Sequence, residues 1–310
     1  MNVVVTGVSS FVGCHLARHF AAAGHRVVGT ISRPRAFYAG IEAARLAWVE
    51  PHVELAPLDL CKPAAFAPLV ERTKPRLWIH HAGYATNYTS PDYDVAAAMA
   101  VNVIPLDSLY SVLKGADCGV IVTGSSMEYP ESSCGNKESD QGSPSTPYGQ
   151  SKLAASTRAG ELAAECNVAT RVARLYIPFG PLDNPAKLVA QALEKLRAGR
   201  AVALSPCIQR RDFLGIGEVC EAYEKLAGDF SRTVFDVFNV AGGEGIVIRD
   251  FLIMLADRLG APRGLLRFGE LPMRPGEALS SFADINKACL VLSWKPKPLA
   301  AALEELIQAS

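Results

Sequence analysis

Histidine is missing from most of this 310-residue chain: all six lie between His15 and His81. The later half therefore supplies no histidine acid or base, and no histidine-rich metal cluster is apparent. The eight cysteines include no Cys-x-x-Cys pair. That argues against a zinc site or a disulfide framework and for small buried hydrophobes in a reducing cytosol. Neither sign of charge is in excess, with 31 basic and 31 acidic residues. Nothing suggests a basic groove for nucleic acid or a polybasic membrane patch. The apolar runs are too short to span a bilayer, and the first strand starts at residue 2, which leaves no room for a signal peptide. The expected location is cytoplasmic. No repeat, low-complexity segment or flexible linker stands out. The length suffices for one large domain or two modest ones.

What is present is chemistry at helical spacing. Tyr148 and Lys152 lie four residues apart in Pro147-Tyr148-Gly149-Gln150-Ser151-Lys152, which puts both side chains on one helix face. An ammonium beside a phenol favours the phenolate and lowers the tyrosine pKa. Such a tyrosine exchanges a proton with a carbonyl or alcohol oxygen. The bare motif is weak, because chance supplies it often and a helix start beside a solvated lysine looks the same.

The N-terminus strengthens it. Val3-Val4-Val5 reads as a buried strand, Thr6-Gly7-Val8-Ser9-Ser10-Phe11-Val12-Gly13 as a glycine turn, and Cys14 to Ala23 as a helix closed by Gly24. Val27-Val28 opens the next strand. A dinucleotide fingerprint needs this context: Gly7 permits the tight turn, Gly13 close helix–strand packing, and the helix N-terminus offers amides and a positive dipole to pyrophosphate. Ser10 stands where the middle glycine is expected. Its hydroxyl could hydrogen-bond a phosphate, but the fingerprint is weakened, and an ordinary βαβ unit without a ligand is the alternative.

Strands are expected at Val3–Val5, Val27–Gly29, Val53–Pro57, Leu77–His80, Val120–Thr123 and Thr170–Leu175, with helices between them, among them Ala96–Leu113 and Tyr148–Cys166. This alternation predicts an α/β fold with a parallel doubly wound sheet of Rossmann type over residues 1–177. Ser10, Ile31, Asp59, Ala82 and Ser125 all follow strands and should meet in one crevice at the strands' carboxyl ends. After Gly180-Pro181 the pattern turns irregular. Residues 178–310 read as a smaller α/β substrate lobe, with elements near 212–240 returning to the first domain.

These segments, taken in order, resemble the extended short-chain dehydrogenase/reductase family, in its nucleotide-sugar-modifying group. The resemblance rests on Thr6-Gly7 to Gly13, Asp59-Leu60, His81-Ala82-Gly83, Asn102, Gly124-Ser125-Ser126-Met127-Glu128-Tyr129-Pro130 and Tyr148-x-x-x-Lys152. Arg174, Gly180-Pro181, Arg211-Asp212-Phe213, Asn239 and Arg274-Pro275-Gly276-Glu277 complete it. It implies that Ser125, Tyr148 and Lys152 are catalytic. Ser125 and Tyr148 would aim two hydroxyls at one carbonyl oxygen, and Lys152 would also hold the nicotinamide ribose. It implies a cofactor site of Gly7, Ser9, Ser10, Phe11, Val12, Gly13, Asp59, Leu60, Ala82, Gly83, Asn102, Tyr148 and Lys152. For a nucleotide-sugar substrate it implies Ser125, Ser126, Tyr148 and Gln209, with Arg211 and Arg274 clamping the diphosphate through charge-assisted bonds. Family members often dimerise through a four-helix contact. Ala96–Leu113 and Tyr148–Cys166 could supply one for a homodimer, unless they merely cover the sheet.

The departures narrow the function. An NAD-preferring relative carries an acid at the end of the second strand, where this chain has Ile31 followed by Ser32-Arg33-Pro34-Arg35. Arginine there suits a 2′-phosphate and hence NADP(H). Dehydratases place a glutamate where Met127 stands, and alternation along an extended segment turns Glu128 to the opposite side. The segment is also similar to GDP-fucose synthases, which use a cysteine and a histidine where this chain has Met127 and Leu182. Ile177 replaces an asparagine that many relatives present to substrate. The leading expectation is NADPH-dependent reduction of the C4 keto group of a nucleoside-diphosphate 4-keto-6-deoxyhexose. An NAD-dependent 4-epimerase follows, then a dehydratase. A reductase of a non-sugar carbonyl and a non-catalytic dinucleotide-binding module complete the alternatives.

Overall fold

In a computed structural model, residues 1–274 and 276–309 are described. Pro275, within the Arg274–Glu277 segment, lies outside them. Six strands alternate with helices along the first half: β1 (Asn2–Val5), α1 (Phe11–Ala22), β2 (Arg26–Ile31), α2 (Gly40–Val49), β3 (Glu54–Pro57), α3 (Phe66–Thr73) and β4 (Leu77–His80). Then come α4 (Val95–Asn102), α5 (Ile104–Leu113), β5 (Gly119–Ser125), α6 (Pro147–Cys166) and β6 (Thr170–Leu175). With the strand Phe235–Val240 they form one parallel sheet, ordered β3-β2-β1-β4-β5-β6 and then Phe235–Val240. The order reverses between β1 and β4, so a crevice opens at the carboxyl ends of those strands.

The central strands are apolar on both faces because helices cover both. Val3 and Val5 point into one core with Phe20, Leu46 and Phe238. Val4 points into the other with Trp78, Leu109 and Leu162. The helix Ile216–Ala227 packs on α1. That helix and Phe235–Val240 therefore belong to the sheet unit although they follow residue 178. The rest of the second half builds a third core around Phe179, Phe213 and Phe251, framed by short strand pairs such as Arg210–Arg211 with Ile246–Val247 and Ser280–Ser281.

The expected helix 96–113 is two helices. It breaks at Val103 (φ −111°, ψ −59°), where Pro105 in the next turn cannot donate a backbone hydrogen bond. By length and composition Val95–Leu113 is apolar enough to cross a membrane, with mean hydropathy 1.5, which the reading of short apolar runs overlooked. In the fold, α4 and α5 pack against α6, and α5 also packs against α3.

Candidate active site

At the sheet's carboxyl edge lies a cleft of about 790 Å³. One wall is the glycine turn. Gly7 has φ +73°, the left-handed region that glycine alone enters freely. A Cβ there would also come within 2.9 Å of the Ala82 Cβ. Gly13 lies beneath the turn rather than in the cleft, and any side chain on it would collide with the Gly7 carbonyl. Ser10 lines the cleft, but its hydroxyl is engaged by the protein. It donates to Gly7 O (2.7 Å), caps α1 by accepting from Gly13 N (3.1 Å), and meets His81 Nε2 at 3.0 Å. It is thus a helix cap first, and the amides and dipole of α1 are left to face an anion.

The opposite wall is built by β5 and α6. Ser125 ends β5 and caps a 3-10 turn, Ser126–Glu128, accepting from Met127 N (3.2 Å). Thr146 caps α6 by accepting from Gly149 N (3.1 Å), and Pro147 occupies the first turn, where its missing donor costs nothing. Gly149 allows the two pieces to meet: a Cβ there would overlap the Met127 carbonyl oxygen. That approach sets Tyr148 on the same cleft wall as Ser125.

The tyrosine's electrostatics differ from expectation. Tyr148 is pushed above the ordinary phenol range, first by burial and then by neighbouring Tyr93 and Tyr88; the nearby Ser125 hydroxyl opposes this. Its ring meets Tyr88 at 5.4 Å and Tyr93, edge-on, at 5.7 Å. Lys152 donates to the Thr123 carbonyl, and burial lowers its own pKa. Burial disfavours the charged phenolate, so the lowering expected from the lysine is not seen. Tyr148 stands as a neutral phenol in a cleft wall it shares with Ser125 and Lys152, a form fit to donate a proton.

Met127 lines the cleft and Glu128 does not; Glu128 is fully buried, and the segment is a 3-10 turn rather than extended. Its carboxylate accepts from Ser125 N (2.8 Å) and from Arg174 Nε (2.8 Å). Arg174 in turn lies over the Tyr129 ring (4.3 Å).

Other expected residues divide clearly. Gly7, Ser9, Ser10, Phe11, Val12, Ser32, Asp59, Leu60, Ala82, Gly83, Asn102, Ser125, Ser126, Tyr148, Lys152 and Arg211 all line the cleft. Asp59 also holds its own turn, accepting from Cys61 N (3.0 Å). Asn102 fixes the loop after β4 by accepting from Tyr84 N (2.7 Å). Ile31 is buried within β2 and does not reach the crevice. Arg33 and Arg35 stay outside it: Arg33 stacks on the Tyr38 ring (4.2 Å) and pairs with Glu42, while Arg35 pairs with Glu50 (2.6 Å). Gln209 is buried behind the cleft, donating to Glu277 (2.9 Å). Arg274 is exposed and does not meet Arg211. Glu277 and Ala278 of its loop turn back, accepting from the Arg211 guanidinium at 3.1 and 2.7 Å.

Among the cleft residues to which the sequence reading gave no site role are Arg45, His81, Tyr88 and Glu42. Arg45 is buried and donates to Ser9 O (3.2 Å) and Leu182 O (2.9 Å). Its signal was an arginine in the buried stripe of α2, beside Leu46 and Val49. His81 bridges Ser10 and Thr123, meeting Thr123 Oγ1 at 3.1 Å. Tyr88 and Glu42 also line the cleft, and neither carries a pattern visible in the sequence.

A glycine turn at a helix N-terminus, opposite a serine, a tyrosine and a lysine, is the arrangement of a dinucleotide-dependent oxidoreductase. Residues 3–241 match the model of the NAD dependent epimerase/dehydratase family, and the chain belongs to that family. A dTDP-4-dehydro-6-deoxy-D-allose reductase from Streptomyces sp is 25% identical, covering 98% of this chain and 94% of the relative. A UDP-glucose 4-epimerase from Mycolicibacterium smegmatis is 27% identical, covering 96% and 94%. Among solved structures, a UDP-glucuronic acid 4-epimerase from Bacillus cereus, in complex with UDP-glucuronic acid and NAD, superposes with TM-score 0.85 at 20% identity, covering 99% of this chain and 98% of the other. That likeness shows the shared fold.

Proposed function

We propose that this chain reduces the C4 carbonyl of a nucleoside-diphosphate 4-keto-6-deoxyhexose with NADPH. The observation that carries the reading is the convergence of Ser125 and a neutral Tyr148 on one wall of the cleft, with Lys152 behind them. The cleft suits a nicotinamide dinucleotide: its volume is in the range of cofactor sites, and the glycine turn presents the α1 N-terminus to a pyrophosphate. When bound, the nicotinamide supplies the hydride. Ser125 polarises the carbonyl by donating to its oxygen, and Tyr148 delivers the proton as charge develops there. A sugar alkoxide is far more basic than a tyrosinate, so a phenol of raised pKa still gives up its proton. Lys152 stabilises the tyrosinate that remains. Arg211, half-buried on the substrate side, holds the diphosphate once Glu277 yields it.

The reductase relative supports this reading by its printed substrate, a 4-dehydro-6-deoxy sugar nucleotide. Met127 and Leu182 offer no group to shuttle a proton at C3 or C5. A second reading, an NAD-dependent 4-epimerase, is favoured by one feature, the Glu42 carboxylate facing the cleft near Ser32. The test is turnover of candidate 4-keto sugar nucleotides in D₂O with NADPH. Reduction consumes NADPH one-for-one with product and leaves deuterium out of C3 and C5. Enzyme-dependent deuterium at either carbon refutes simple reduction, and turnover without NADPH loss favours the epimerase.

A further inference from the structure

The side chains that follow β2 form a small electrostatic device. Tyr38 is buried, and its hydroxyl accepts from Ser32 N at 3.1 Å. The Arg33 guanidinium lies 4.2 Å over the Tyr38 ring and is paired with the Glu42 carboxylate, one turn into α2. Glu42 and Ser32 line the cleft with Leu58, Asp59 and Leu60, whereas Arg33 does not. An adenosine ribose at this end of the cleft therefore meets a hydroxyl and a carboxylate, with the guanidinium held just behind the carboxylate.

Taking the nicotinamide-dinucleotide site as read above, we propose that Glu42 determines cofactor selectivity: its carboxylate competes with a 2′-phosphate for Arg33. A phosphate at the ribose 2′ position carries close to two negative charges. To pair with Arg33 it must displace a carboxylate and then remain near it. A free 2′-hydroxyl has no such conflict, since the same carboxylate accepts its hydrogen bond. Arg33 alone would favour the phosphorylated cofactor, and Glu42 holds that preference down. The residue after β2 thus does not settle the selectivity of this chain; the pairing of a β2-loop arginine with an α2 acid does. Both side chains are about half exposed, so the competition is screened by salt.

The test is equilibrium binding of NADPH and of NADH to the purified protein without sugar nucleotide, read by fluorescence of the reduced nicotinamide. Glu42→Gln keeps the shape and removes the charge, and its exposure makes loss of the fold a minor concern that circular dichroism checks. NADPH binding should tighten by roughly five- to tenfold, as expected for removing one like charge at a partly exposed site. NADH binding should be unchanged or slightly weaker. The gain should shrink at 0.5 M salt, a condition of the assay, and fall to about twofold or less in an Arg33→Ala background, where the object of competition is gone. An unchanged NADPH-to-NADH ratio overturns the proposal, and so does a gain that survives undiminished without Arg33. If wild type and variant bind neither dinucleotide, the cofactor reading itself falls and takes the proposal with it.

Discussion

Replacing Glu128 by alanine should destabilise the protein by about 3–5 kcal/mol, the usual cost of removing one partner of a buried ion pair. Glu128 is fully buried and its partner Arg174 is 6% exposed, so water cannot take over the lost contacts. Arg174 Nη1 already lacks a hydrogen-bond partner among the described residues, and after the change its Nε loses one as well. Ser125 N loses its acceptor too, but that term overlaps the first and is not added. Unfolding entropy of about 2 cal/mol/K per residue gives this chain roughly 0.65 kcal/mol/K. A 4 kcal/mol loss then lowers Tm by about 6 °C. Replacing both partners, as Glu128→Leu with Arg174→Met, should recover most of that stability, because two well-packed apolar side chains leave no orphaned charge. Turnover should not recover with it. The carboxylate that fixes the Ser125 backbone is still gone, and small misplacements at a reacting centre can cost about 10²-fold. Urea unfolding followed by circular dichroism measures the first effect and steady-state kinetics the second. A single variant that loses under about 1 kcal/mol, or a double variant no more stable than the single, refutes the reasoning.

Tyr148→Phe should lower turnover by about 10²–10⁴-fold, the usual contribution of general acid catalysis, with its ring still packed on Tyr88 and Tyr93; retention of half the wild-type rate removes Tyr148 from the mechanism. Gly149→Ala should cost roughly 1–3 kcal/mol as overpacking, since the added methyl meets the rigid Met127 carbonyl. It should also slow turnover by parting Tyr148 from Ser125, and a neutral effect on both shows that the two elements do not meet so closely. Acid should destabilise through His80, which is 4% exposed, has neither ring nitrogen paired among the described residues, and is held neutral by burial down to about pH 3. The unfolded chain takes up that proton near pH 6.5, so stability is fully present well above 6.5 and falls as pH drops toward 3, by about 1.6 kcal/mol between pH 6.5 and 5. His80→Leu should flatten that part of the pH–stability curve, and an unchanged slope assigns it to other groups.

The sequence by itself determined the sheet and the two motifs at its edge. Short, mostly apolar runs of three to six residues separated by helical periods leave little choice but a parallel sheet, and Tyr148 with Lys152 share a face by helix geometry alone. Gly7 was legible because its left-handed turn excludes other residues. Only the tertiary structure decided which charges are free. Arg33, Arg35, Arg211 and Arg274 look alike as letters, yet one is bound by Glu42 of α2, one by Glu50 at its C-terminal cap, one by Glu277, and one stands in solvent. Those partners come from separate elements or lie tens of residues away. Local patterns could not show Glu128 buried against Arg174, Arg45 bonded to Ser9 O of the glycine turn, or Tyr148 packed on Tyr88 and Tyr93 where burial raises its pKa. Periodicity is a property of neighbours along the chain. Ionisation and pairing depend on neighbours in space, and those exist only once the sheet has closed.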